Sequence, residues 1–168
     1  IANAWGIPAI KAGIKTFLAS NQGRSGTWNF ASSIIFKDIE KKIFSTNAIG
    51  NLDYYTTKPY DHEFFNKTIP TLLENNIGQK GLFIFHGYAG HGVYLDNIPS
   101  SFHEKVDDFF EFKNSAKVTL GEIGSKYSLN RYMEAYDSTI RYVDSNIVDA
   151  LQYVSERPEP TVMIYTSD

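Results

Sequence analysis

The sequence predicts an α/β domain, a doubly wound and mostly parallel sheet with helices on both faces. Three observations lead there. Apolar runs of strand length, at residues 15–19, 80–86 and 161–168, alternate with longer stretches of helical spacing; strand, helix, strand, helix, strand is the order of a parallel sheet covered on both sides. Each run leads into residues suited to a loop or to chemistry: Ser20 and Asn21, Gly87 and Gly90, and finally Asp168. The length of 168 residues, with 42% hydrophobic and 21% charged side chains, belongs to one globular domain that buries roughly 68–70% of its unfolded surface.

The elements follow in order. Trp5, Ile7, Ile10 and Ile14 recur at helical spacing, interrupted early by Pro8 and closed by Gly13. Residues 15–19 read as a strand and 20–26 as a polar, glycine-containing loop. Phe30, Ile34 and Ile35 give residues 28–42 a helix-like spacing that is ambiguous towards strand. The Gly, Asn and Thr content of 47–59 marks a loop, after which Tyr60 and Asp61 cap a helix reaching about Asn76. Pro70 inside it predicts a kink or a helix start nearby. The strand at 80–86 and its glycine loop come next, then an irregular region at 97–126. A long helix from Ser128 to about Glu156 places Tyr132, Tyr136, Ile140, Val143, Ile147, Ala150 and Leu151 on one stripe. Pro158 and Pro160 end it before the last strand.

Composition excludes several classes. The 12 Phe and 11 Tyr predict a thick aromatic core. A net charge of −3 and a pI near 5.8 argue against nucleic acid, whose binders present a basic face, and are compatible with a cation. The absence of cysteine removes disulfides, thiolate metal sites and cysteine nucleophiles together. No apolar run approaches the ~18 residues of a membrane span, and the N-terminus has no signal-peptide pattern. The chain starts inside an apparent helix and ends on a strand's last residue, so a piece of a longer protein is expected.

Chemistry concentrates at the strand ends. Gly87, Gly90 and Gly92 form G-x-x-G-x-G after a strand, but a phosphate loop opens directly into a helix and Pro99 discourages one here. His86 belongs to the strand and reads as a packed, hydrogen-bonded residue. His91 lies among glycines that leave room for an ion or substrate, so it is the functional candidate; His62 and His103 read as surface residues. Asp168 and a histidine from a neighbouring strand suit a zinc- or manganese-type site, with calcium as a further alternative. Two ligands are too few for tight binding, so others must come from elsewhere. Ser20, Ser25, Thr27 and Ser167 have no histidine near in sequence to serve as base, and no G-x-S-x-G elbow exists.

Four stretches in order then resemble the catalytic domain of the phosphoethanolamine transferases, in the sulfatase branch of the alkaline phosphatase superfamily. They are A-G-I-K-T-F-L-A-S-N-Q ending at Gln22, the strand and glycine loop from Phe83 to Tyr94, Y-D-S-T-I-R-Y-V-D from Tyr136 to Asp144, and I-Y-T-S-D ending at Asp168. The resemblance implies an alkaline phosphatase-like fold and a zinc-held threonine that takes phosphoethanolamine from a phospholipid donor. The group then passes to a hydroxyl of lipid A or another surface glycan. It further implies His91 beside the metal at the phosphate, Asp168 as a zinc ligand, and Asn21 and Gln22 at the substrate. Ala89-Gly90 stand where the family has Gly-Ser, and the cysteines of many lipid A-modifying members are absent. The nucleophile, a glutamate ligand and the rest of an S-D-H-G-E motif lie outside this chain, so residues 1–168 are expected to be a partial and inactive catalytic domain. The whole protein would carry a membrane anchor and face the bacterial periplasm. Two alternatives stay open: a sulfatase or phosphoglycerol transferase of the same superfamily, and a non-enzymatic α/β binding module with packed histidines and no metal.

Overall fold

The computed structural model describes residues 6–23, 36–45, 59–90, 94–103 and 129–166. The chain forms two compact units, Ile1–Gly87 and Tyr88–Asp168. Among the described residues no helix is long and apolar enough to cross a membrane.

The first unit holds a three-stranded parallel sheet of order β2-β1-β3, with β1 at Lys15–Ser20, β2 at Lys41–Phe44 and β3 at Gly81–His86. The α/β class with a parallel sheet is therefore the class expected from the sequence. Helix α1, Gly6–Lys11, precedes β1, and Gly13 makes the join. At φ +70 it sits in the left-handed region that favours glycine. Its N–H bonds the Ile10 carbonyl at 3.0 Å, while Ile14 N–H bonds the Ala9 carbonyl at 2.9 Å. This pair is a Schellman cap, and it turns the chain straight into the sheet.

Five of the six residues of β1 are buried, as in a central strand covered on both faces. Its odd positions, Phe17 and Ala19, pack with Phe64 and Leu72 of helix α2, Asp61–Glu74, and with Phe83 and Phe85 of β3. Phe17 and Phe83 are register partners and stack with ring centroids 4.7 Å apart. Phe85 meets Phe65 edge-on at 6.0 Å. Helix α2 starts at Tyr60, whose N–H donates to the Glu63 carboxylate at 2.8 Å, and runs through Pro70 without ending there. The proline only removes the bond that the Asn66 carbonyl would accept.

The span 28–42, helix-like in spacing with strand left open, lies mostly outside the described residues, and its last two residues open strand β2. Thr16 and Glu40 explain the strand. Thr16 N–H donates to the Glu40 carboxylate at 2.8 Å and Glu40 N–H to Thr16 Oγ1 at 3.0 Å. That reciprocal pair seats the chain beside β1 one residue before the ladder opens at Lys41.

The second unit is built on helix α3, Leu129–Ser155, close to its expected bounds. Its buried face is not the apolar stripe expected. Ala135, Ser138, Thr139 and Tyr142 are buried, whereas Tyr136, Ile140 and Leu151 are exposed. The core they enter contains Leu95 and Ile98, flanked by Ala89, Tyr94, Phe102 and Tyr132. Two short 3₁₀ turns, Tyr94–Asn97 and Ser100–Phe102, bring those residues in. Small side chains on α3 let the turns approach closely, and Thr139 Oγ1 is satisfied by its own helix through the Ala135 carbonyl at 3.0 Å. The last predicted strand is not formed in its described part: residues 161–166 lie outside any strand and are exposed, Val162 at 86% and Ile164 at 81%.

Candidate functional site at the carboxyl edge of the sheet

Beyond the last rung of the β1–β3 ladder the chain places a group of polar side chains. Ser20 and His86 are register partners on that rung. Successive strand residues face opposite sides of the sheet. Ser20 and His86 therefore share the face away from α2, while Asn21 follows Phe17 and Ala19 towards α2. Asn21 N–H extends the ladder by bonding the His86 carbonyl at 2.9 Å.

On one face His86 is held at both ring nitrogens. Ser20 Oγ lies 3.0 Å from Nδ1 and Gln22 Nε2 lies 3.1 Å from Nε2. The same Gln22 amide donates to the Gly87 carbonyl at 3.0 Å, and Gln22 N–H donates to Ser20 Oγ at 3.2 Å. Phe36 closes the ring's side edge-on at 5.8 Å. On the other face Asn21 Nδ2 donates to the Asp61 carboxylate at 2.6 Å and to the Pro59 carbonyl at 2.9 Å. Asp61 is buried at the start of α2. A Cβ at Gly87 would stand 2.9 Å from Asp61 Oδ2, so glycine allows the β3 exit to pass this carboxylate. Asn21 is 1% exposed, and its buried Oδ1 has no hydrogen-bond partner among the described residues.

The sequence-predicted site residues divide. Asn21 and Gln22 come together with Ser20, His86, Gly87 and Asp61, and their amide donors are directed at protein groups. His91 and Asp168 lie outside the described residues, as do Ser25, Thr27 and Ser167. Sequence reasoning missed Asp61, read there as a helix cap; its signal was a carboxylate beside a proline-led helix start in a chain whose strand edge ends in Ser-Asn-Gln. Past the glycine loop, the second unit anchors Tyr94 on α3. Thr139 Oγ1 shares its one hydrogen between the Ala135 carbonyl at 3.0 Å and the Tyr94 carbonyl at 3.2 Å, and the Tyr132 hydroxyl donates to the Tyr94 hydroxyl at 3.3 Å. Burial, then the Tyr132 contact and the neighbouring Tyr136, push the Tyr94 phenol up to about 12, so it keeps its proton at neutral pH.

Zinc, implied by the family resemblance, finds no site among the described residues: no group of three His, Asp or Glu is assembled there. The Asp61 carboxylate and both His86 nitrogens are committed to protein partners.

Within this frame the comparisons with known proteins agree. The Sulfatase family profile matches residues 9–168, and the chain belongs to that family. It is 29% identical over 161 residues to the phosphoethanolamine transferase EptA of Helicobacter pylori, covering 94% of this chain and 27% of that protein. Among solved structures it is similar to the C-terminal periplasmic domain of EcEptC from Escherichia coli, determined in complex with Zn. There the TM-score is 0.56 at 20% identity, over 85% of this chain and 36% of that one. The likeness shows a fold shared with that domain. The chain thus spans about a quarter of the length of the curated relative it matches.

Proposed function

We propose that this chain is part of a phosphoethanolamine transferase that moves phosphoethanolamine from a phospholipid to a hydroxyl of lipid A or another surface glycan. The observation that carries the reading is the 29% identity, over nearly the whole chain, to a protein of that name. In it His91 contacts the phosphoryl group and Asp168 is one ligand of a zinc ion whose other ligands come from outside these residues. The Zn complex of the structural relative supports zinc over manganese or calcium. Zinc when bound supplies Lewis-acid stabilisation of phosphoryl charge. Asn21 and Gln22 belong to the substrate edge through the position they give it, because their amide donors already bond protein. The periplasmic origin of that relative supports the periplasmic face of an inner membrane as the location, with the anchor in the full-length protein.

The test uses the full-length protein with phosphatidylethanolamine and lipid A, reading added phosphoethanolamine by mass spectrometry. Transfer that stops on chelation and returns with zinc is the expected result. His91→Ala should lower turnover by about 10²–10³, the usual cost of removing one group that stabilises developing transition-state charge. Hydrolysis of an aryl sulfate without any transfer would overturn the reading in favour of a sulfatase, the other chemistry that the family match supports. Unchanged turnover in His91→Ala would remove His91 from the site.

A further inference from the structure

The two hydrogen-bonding nitrogens of His86 are not equivalent, and the residues around them determine which one carries the proton. Gln22 Nε2 lies within bonding distance of the Gly87 carbonyl, which only accepts. The amide is therefore oriented with its NH₂ group towards that carbonyl, because the reverse orientation would set two oxygens against each other. Its second N–H points at His86 Nε2. An NH₂ group only donates, so Nε2 must be the bare, accepting nitrogen. The neutral ring then carries its hydrogen on Nδ1 and donates it to Ser20 Oγ.

We propose that Ser20 and Gln22 hold His86 as the neutral Nδ1–H tautomer, and that the three act as positioning residues for Gly87, where the chain leaves β3. Three bonds converge at that exit. Gln22 holds the Gly87 carbonyl, Asn21 N–H holds the His86 carbonyl, and Ser20 fixes the ring. Gly90, at φ +104, then turns the loop in a conformation that glycine adopts without strain. The loop's starting direction is thus set by side chains of β1's exit, and the clamp fails if the ring takes a proton on Nε2. The consequence for catalysis rests on the proposed function, whereas the tautomer does not.

The experiment is a long-range ¹H–¹⁵N correlation spectrum of the full-length protein labelled with ¹⁵N-histidine, the His86 signal being the one missing from His86→Gln. At neutral pH His86 should show a protonated Nδ1 and a bare Nε2, the reverse of the form free histidine prefers. An Nε2–H or doubly protonated pattern would overturn the assignment whether or not the protein transfers anything. Gln22→Glu supplies the second readout. A carboxylate accepts where the amide donated, so the His86 pattern should switch to a protonated Nε2, and transfer turnover should fall about tenfold, at the low end of positioning effects. Ser20→Thr, which keeps the hydroxyl, should retain the wild-type spectrum. If Gln22→Glu switches the tautomer while turnover stays unchanged, the positioning role is wrong. If no transfer occurs even in the wild type, only the functional reading fails.

Discussion

The two units use their side chains in opposite ways. In the first, apolar residues are spent on packing: Phe17, Phe64 and Leu72 are buried, and the polar residues beyond the ladder are buried with partners. In the second, the helix with the clearest apolar periodicity turns Met133, Tyr136, Ile140, Val148 and Leu151 outwards and buries Ala135, Ser138, Thr139 and Tyr142. Periodicity therefore names the apolar residues of a helix, but the elements packed against it decide which face is covered. Beside the short 3₁₀ turns the covered face of α3 combines three small side chains with one large one, Tyr142, whose ring meets Phe102 edge-on at 5.1 Å.

Paired truncations test this contrast. Leu72→Ala, in the first unit, removes a fully buried side chain between α2 and β1 and should cost about 2–5 kcal/mol of stability. Ile140→Ala, in the second, trims a side chain that is 45% exposed and should stay within about 0.5 kcal/mol. Chemical denaturation of both variants gives the difference directly. Equal losses would show that the exposed face of α3 is covered in solution.

The polar edge ranks next. Asn21→Ala removes the donor to the Asp61 carboxylate at 2.6 Å and should cost about 1–3 kcal/mol, the penalty of weakening a buried, charge-assisted bond. Asp61→Asn in the same background should recover part of the loss, because a neutral amide needs less from its surroundings. If the double variant loses the sum of what Asn21→Ala and Asp61→Asn lose singly, the two side chains do not act together.

Much of this fold is legible in the sequence. The runs that became β1 and β3, the glycine that caps α1, and the limits of α2 and α3 all follow from local pattern, because each is fixed by residues within a few positions of one another. In sequence, β2 stays undecided between helix and strand, since its seat depends on Thr16 meeting Glu40 across 24 residues. The polar edge was half legible. The Ser-Asn-Gln run after β1 and the histidine ending β3 are visible in sequence, but their alignment on one rung comes from sheet register. Asp61 is brought to Asn21 only by the packing of α2 on β1.

A last expected effect marks the second unit by its response to pH. Tyr94 lies in the second unit, and its phenol is raised to about 12 from an ordinary value of 10, chiefly by burial and then by Tyr132 and Tyr136. The folded state holds this proton more tightly than the unfolded chain does. The corresponding stability is therefore fully present below about pH 10 and is lost as pH rises towards about 12, where the unfolded state has already released its proton. Tyr94→Phe has nothing to titrate, so its stability should fall less steeply than the wild type's across that window. At neutral pH the variant loses only the 3.3 Å bond from Tyr132, about 0.5–1.5 kcal/mol. Denaturation midpoints measured from pH 8 to 12 for both proteins decide it: parallel curves would mean that Tyr94 ionises as freely in the folded chain as in the unfolded one, and that the aromatic contacts around it are open to water.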